Sequence, residues 1–138
     1  MRTEIAIWNV LHDGEITAVE AGTDGSYTMF VNIPYLRKRL KPLGDSFVLT
    51  LSGVRQVTFQ DFNGTSLSLE EELQGSSSQM ILRTLSESMP ITVELMYGTL
   101  ILDFESIALS LDTGQPVEFE TIETVCREYW EEFSSKGK

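Results

Sequence analysis

The sequence predicts an α+β domain: a strongly bent antiparallel sheet, or incomplete barrel, of about seven or eight strands with a C-terminal amphipathic helix packed across it. Two observations carry this. Short apolar runs of period two, each closed by turn residues, fill the chain from residue 4 to about residue 111, and from Phe119 onward the apolar period becomes that of a helix. The alternative arrangement is an all-β sandwich with the helix at one end. Nothing in the 138 residues reads as a linker, so residues 1–138 are expected to form a single domain. A chain of this length buries roughly two-thirds of its unfolded surface, enough for a core without disulfides or a structural metal.

Taken in order, residues 5–11 read as a first strand, His12, Asp13 and Gly14 as a tight turn in which Asp-Gly supplies positive φ, and residues 15–21 as a second strand. Gly22, Thr23, Asp24 and Gly25 turn the chain into a third strand in which Tyr27, Met29, Val31 and Ile33 alternate with polar or outward positions, completing a three-strand meander. Pro34 has no N–H to give a ladder, and residues 35–40 read as one or two helical turns before Pro42. Phe47, Leu49 and Leu51 mark a fourth strand and residues 54–59 a fifth. Residues 66–73 read as a short helix, with Ser66 or Ser68 as its cap and Glu70, Glu71 and Glu72 near the positive end of its dipole. A flexible loop is expected at residues 75–78, followed by strands at 80–85, 91–95 and 100–104, the last running on as far as Leu111. The hairpin is expected to turn at Tyr97 and Gly98.

At 100° per residue, Phe119, Ile122, Val125, Cys126, Tyr129, Trp130 and Phe133 fall within an arc of about 140°. Glu120, Glu123, Thr124, Arg127, Glu128 and Glu131 lie opposite, which predicts a helix over 118–133 that frays from Ser134. Burying such side chains contributes roughly 1.5 to 3 kcal/mol each.

Charge narrows the function classes. With 21 acidic and 10 basic side chains the chain is a polyanion of formal charge -11, which disfavours nucleic acid because phosphate contacts need Lys and Arg in number. Four of the ten basic residues cluster at Arg37, Lys38, Arg39 and Lys41, predicting a small basic surface patch on an acidic molecule. The opening apolar run is too short for a membrane span and lacks the pattern of a secretory signal, and the single cysteine suits a reducing compartment. A cytoplasmic protein with no membrane association is the expectation.

Catalytic routes are few, because the sequence holds one histidine, His12, and one cysteine, Cys126. His12 next to Asp13 has the chemistry of a general base with its orienting carboxylate, but a polar pair before Gly14 is also what a turn requires, and the turn is the simpler reading. Cys126 lies on the apolar arc of the helix and reads as core. No His-Glu-x-x-His, Cys-x-x-Cys, calcium-loop spacing or Gly-x-Ser-x-Gly occurs, so no catalytic residue, metal or cofactor is assigned.

Two stretches, residues 8–14 with Trp8, His12 and Asp13, and residues 127–133 with Tyr129, Trp130 and Phe133, resemble the ends of small, acidic, uncharacterised bacterial single-domain proteins. In size and charge the chain is similar to immunity proteins that neutralise polymorphic toxins. The resemblance implies a bacterial origin and transfers no site residue.

Two functions follow as expectations. The first is a non-enzymatic acidic protein that docks a basic macromolecular partner through Glu70, Glu71, Glu72, Glu120, Glu123, Glu128 and Glu131. The second is a small-molecule-binding protein or enzyme with a pocket between bent sheet and helix, lined by Trp8, His12, Tyr35 and Trp130. A deep pocket discriminates for the second and a flat acidic face for the first. Oligomeric state is not legible in the sequence.

Overall fold

The computed structural model describes residues 2–75 and 78–136. Its elements run α1 (Thr3–Val10), β1 (Glu15–Ala21), β2 (Tyr27–Asn32), α2 (Pro34–Arg37), β3 (Ser46–Ser52), β4 (Gln56–Asp61) and β5 (Ser66–Leu67). After these come α3 (Leu69–Gly75), β6 (Gln79–Thr84), β7 (Ile91–Leu95), β8 (Gly98–Asp103), β9 (Ser106–Leu111) and α4 (Phe119–Lys136). The architecture is α+β: the strands form one open antiparallel sheet in the order β5-β4-β8-β7-β6-β1-β2-β3-β9.

The first element differs from the expectation. Residues 5–11 are not a strand but the body of α1 and its exit, so the meander has two strands, β1 and β2, and takes β3 as its third. The physical reason is that Ile5, Trp8 and Leu11 repeat at i+3 while Ile7 and Leu11 repeat at i+4, so all four share one side of a helix and are buried. A short apolar run satisfies both periods, and burial on most sides removed the polar positions that would have decided between them. His12 and Asp13 therefore end a helix rather than join two strands. Asp13 takes the positive φ, 71°, and Gly14 serves by its size, since a Cβ there would lie 2.8 Å from Val31 Cγ1 and 2.9 Å from the Leu11 carbonyl oxygen.

α1 touches both β6 and β9, which stand four strands apart in the sheet, so the sheet is bent around this helix. The inward faces of the strands supply a continuous core: Tyr27, Met29 and Val31 from β2, Phe47, Leu49 and Leu51 from β3, and Val93, Leu95, Leu100 and Leu102 from the β7–β8 hairpin. Trp8 fills the centre of the bend, wholly enclosed, its indole N–H donating to the Glu4 carbonyl at 2.8 Å. The two halves of the sheet are joined narrowly, where Glu15 and Ile16 of β1 pair with Met80 and Gln79 of β6.

α4 closes over this assembly, meeting α1 and α2 first. Ile122 and Cys126 are buried, Val125, Tyr129 and Trp130 are half-buried, and Phe133, on the same arc, is 59% exposed because the helix runs on past the edge of α2. The helix continues through Lys136 instead of fraying at Ser134. Ser68 caps α3, its hydroxyl accepting the Glu71 N–H at 3.1 Å, and Ser66 belongs to β5. The loop expected at 75–78 falls partly outside the described residues.

The hairpin of β7 and β8 pairs Leu95 with Gly98 and Ile91 with Leu102, so it turns at Met96 and Tyr97, one residue earlier than the glycine suggested. The strand expected to run from residue 100 to Leu111 is two strands, β8 and β9, in opposite halves of the sheet order. Gly98 is needed for a close approach: a Cβ there would collide with the Gln60 carbonyl oxygen and lie 2.6 and 2.8 Å from Phe59 ring carbons of β4. Gly98→Ala is therefore expected to cost about 2 to 3 kcal/mol by overpacking, whereas Gly75→Ala, with open space at its Cβ, leaves stability unchanged or slightly raised. Thermal melts of both variants check the contrast.

Candidate functional site

The four side chains expected to line a pocket are not brought together around a void. Trp8 is enclosed in the core, and α1 occupies the space that the pocket would have needed. His12, Tyr35 and Trp130 do meet, at the seam where α4 crosses the end of α1 and α2. The His12 and Trp130 rings stack at 5.3 Å and 21°, and the Tyr35 and Trp130 rings meet edge-on at 6.2 Å. His12 Nδ1 is hydrogen-bonded to the Asn9 carbonyl at 2.8 Å, and the Tyr35 hydroxyl donates to the His12 carbonyl at 3.3 Å.

Ring stacking and backbone hydrogen bonds therefore hold this cluster together. The carboxylate nearest to His12 is its neighbour Asp13, at 3.9 Å. Among the described residues no acid from another strand is in salt-bridge reach of the ring. Burial, then the Asp13 charge, pushes the Tyr35 phenol well above its ordinary pKa, so it is a donor and not a base. Burial likewise raises the Cys126 thiol, which lies 3.5 Å from the Val10 carbonyl and joins α4 to α1. No group of three His, Cys, Asp or Glu among the described residues is placed to hold a metal ion.

The aromatic seam extends further than the sequence reading reached. Tyr129 lies 4.4 Å from Tyr35 and 5.1 Å from Trp130, and Phe133 lies 5.5 Å from Trp130. Arg39 lies over the Tyr129 ring at 5.3 Å and grips Glu132 with its two terminal guanidinium nitrogens, Nη1 and Nη2, at 3.2 and 2.5 Å. The cleft between Arg39, Tyr129, Glu132 and Phe133 holds about 140 Å³, well below the 300 to 1,000 Å³ of small-molecule sites. The signal available in sequence was the i, i+3, i+4 spacing of Tyr129, Trp130 and Phe133, but their partners come from elements more than 90 residues away.

The expected basic patch is also taken apart. Arg37 is completely buried: Nε donates to the Ser46 carbonyl and to Asp112 Oδ1, at 3.1 and 3.0 Å, Nη2 to the same oxygen at 2.8 Å, and Nη1 to the Leu40 carbonyl at 3.3 Å. Asp112 Oδ2 accepts the N–H groups of Asp45 and Ser46 at 3.0 and 3.2 Å. Desolvation pushes the Asp112 carboxyl upward, but these backbone bonds and the Arg37 guanidinium outweigh it and hold its pKa below the usual range. With Arg39 engaged on Glu132, Lys38 and Lys41 are left as the exposed cations of the run.

The acidic residues divide by helix. On α3, Glu70 is half-buried beside Tyr27, whose phenol is raised far above its ordinary value by burial and then by this carboxylate. Glu72 accepts from the buried Gln79 at 3.0 Å, which leaves Glu71 as the fully exposed acid of the three. On α4, Glu120, Glu123, Glu128 and Glu131 are all exposed, and none has a cationic side chain in salt-bridge reach among the described residues. A second recess, of about 420 Å³, lies along the outer edge of β9 where α4 begins, with Glu118 and Glu120 among its walls.

Comparison with protein-family models, with curated proteins and with solved structures finds no match, so the chemistry of the site rests on its own geometry.

The stacked pair gives a direct test. Trp130→Ala is expected to cost about 2 to 3 kcal/mol, less than a fully enclosed tryptophan, and His12→Ala about 1 kcal/mol through the lost stack. His12→Phe, which keeps a ring against Trp130, should recover most of that loss. Chemical denaturation of the three variants supplies the comparison, and an alanine at His12 without effect on stability contradicts the packing role.

Proposed function

We propose that this chain is a non-enzymatic acidic binding protein that docks a basic macromolecular partner, such as a toxin nuclease, on the outward face of α4. One observation carries the reading: α4 turns its apolar arc toward α1 and α2 and leaves Glu120, Glu123, Glu128 and Glu131 exposed on its outward face, where Arg127 is the one cation among four acids and none of the four is in salt-bridge reach of a cation among the described residues. An excess of like charge along a helix costs stability, so a concentration of four acids against one arginine is better accounted for by a partner than by the fold. Arg127 offsets only part of this charge, and two further arginines are held on other acids, Arg37 on Asp112 and Arg39 on Glu132.

Such a face acts chiefly through association rate. A potential of one sign raises encounter with an oppositely charged protein by a factor of about 10 to 1,000, and salt removes the gain. Glu71 is a further exposed acid on α3, whereas Glu70 is half-buried beside Tyr27 and Glu72 accepts from Gln79, so both contribute less as contact residues. A reducing cytoplasm suits the buried Cys126 thiol, and among the described residues no helix is long and apolar enough to cross a membrane.

The experiment is affinity capture from the native host followed by stopped-flow association of the captured protein. Replacing Glu120, Glu123, Glu128 and Glu131 with Gln should slow association about 10-fold or more at low salt and flatten its salt dependence. Unchanged rates, or a loss seen instead on replacing Glu70, Glu71 and Glu72, contradict the assignment to α4.

A further inference from the structure

β9 is one edge of the open sheet, and only half of that edge is covered. The Leu109 carbonyl accepts the Val117 N–H at 3.0 Å and the Leu111 N–H donates to the Gln115 carbonyl at 2.8 Å, flanking a bridge between Ser110 and Pro116. Alternate residues of an antiparallel strand turn their backbone groups to opposite sides. Ile107 therefore presents its N–H and C=O to the same side as Leu109, away from β3. Among the described residues, no backbone partner meets those two groups or the Leu109 N–H on that side. The chain leaves the edge after Val117 to enter α4, and the recess of about 420 Å³ opens at that point.

Its lining is part apolar and part acidic. Ile107, Val117 and Phe119 are half-buried, and Glu4, Glu118 and Glu120 stand around them. Glu4 is partly neutralised by Arg2, 3.3 Å away, while Glu118 and Glu120 are exposed and have no cation in salt-bridge reach among the described residues. We propose that this groove receives an extended basic peptide segment of the partner, which adds a strand to β9 by pairing with the free backbone groups of Ile107 and Leu109. The inference rests on the reading of a basic partner and specifies how that partner is held.

Backbone pairing supplies register and affinity, and alternate side chains of the guest strand meet the two kinds of wall. Those facing inward are apolar, against Val117 and Phe119; those facing outward are Lys or Arg, near Glu118 and Glu120. A second copy of the chain fits the same edge poorly, since it brings a further charge of -11 to an acidic groove.

The probe is a fluorescent octapeptide alternating lysine and valine, compared with the same peptide carrying N-methyl groups on alternate residues, which keeps the charge and removes the ladder. Anisotropy titration should show the methylated peptide binding at least about 10-fold more weakly, and amide exchange at Leu109 should slow only with the unmodified peptide. Ile107→Pro removes an N–H that faces away from β3, a position where an edge strand tolerates proline, and should abolish binding with the melt preserved. If that variant does not fold, the methylated peptide decides.

Equal binding of both peptides, lost on replacing Glu123, Glu128 and Glu131 with Gln, overturns strand addition and leaves the acidic-face reading standing. Absence of binding by either peptide overturns strand addition as well, with the association kinetics of the captured partner still deciding the broader reading. A dimer of the chain that Ile107→Pro dissolves assigns the edge to a second copy and overturns the proposal too.

Discussion

The buried guanidinium of Arg37 fixes the part of the molecule on which every functional feature stands. A fully enclosed cation is tolerated only with its charge and its donors satisfied, and here the carboxylate of Asp112 and the carbonyls of Ser46 and Leu40 meet that demand. Satisfying it draws four pieces of chain to one point: α2, the loop after it, the start of β3 and the end of β9. Asp112 begins the connection to α4, so the same ion pair sets where that connection lies against the edge of β9 and where the helix departs. Arg39, two residues on, holds the far end of α4 through Glu132. The basic run that looked like a surface patch is in part a bracket for the C-terminal helix.

With α4 held at both ends, its apolar arc has one place to go. Ile122 and Cys126 enter the core, and Tyr129 and Trp130 settle against Tyr35 and His12. The four outward glutamates then share one solvent face, with Arg127 as the one cation on it. Under the helix lies α1, with Trp8 wholly enclosed. The charged face of α4 and the half-covered edge of β9 both follow from how one connection is anchored.

Periodicity made much of this legible. β1 and β2, and the strands carrying Phe47, Ile91 and Leu100, announced themselves by alternation, and α4 by an apolar arc too wide to be accidental. α1 escaped because Ile5, Ile7, Trp8 and Leu11 are buried on a helix with almost no polar side, so neither period could be distinguished. Arg37 escaped for a different reason. Composition gives an arginine a surface prior, and what overrides it is Asp112, 75 residues away, which no local pattern can bring near. The free edge of β9 was hidden likewise, since a run from residue 100 to Leu111 reads as one strand until Glu105 turns it into two members of different neighbourhoods. His12 was legible as the polar end of an apolar run but not as the ring that stacks on Trp130.

The bracket is tested most directly by a double-mutant cycle on Arg37 and Asp112, measured by chemical denaturation. Asp112→Ala strands a cation that is wholly enclosed and should cost about 3 to 5 kcal/mol, whereas Arg37→Met leaves a carboxylate that still reaches solvent and should cost less. Because the second substitution relieves what the first leaves unpaired, the double variant should be more stable than Asp112→Ala alone. Two additive losses, or an Asp112→Ala variant as stable as the parent, contradict the claim that this ion pair anchors the connection to α4.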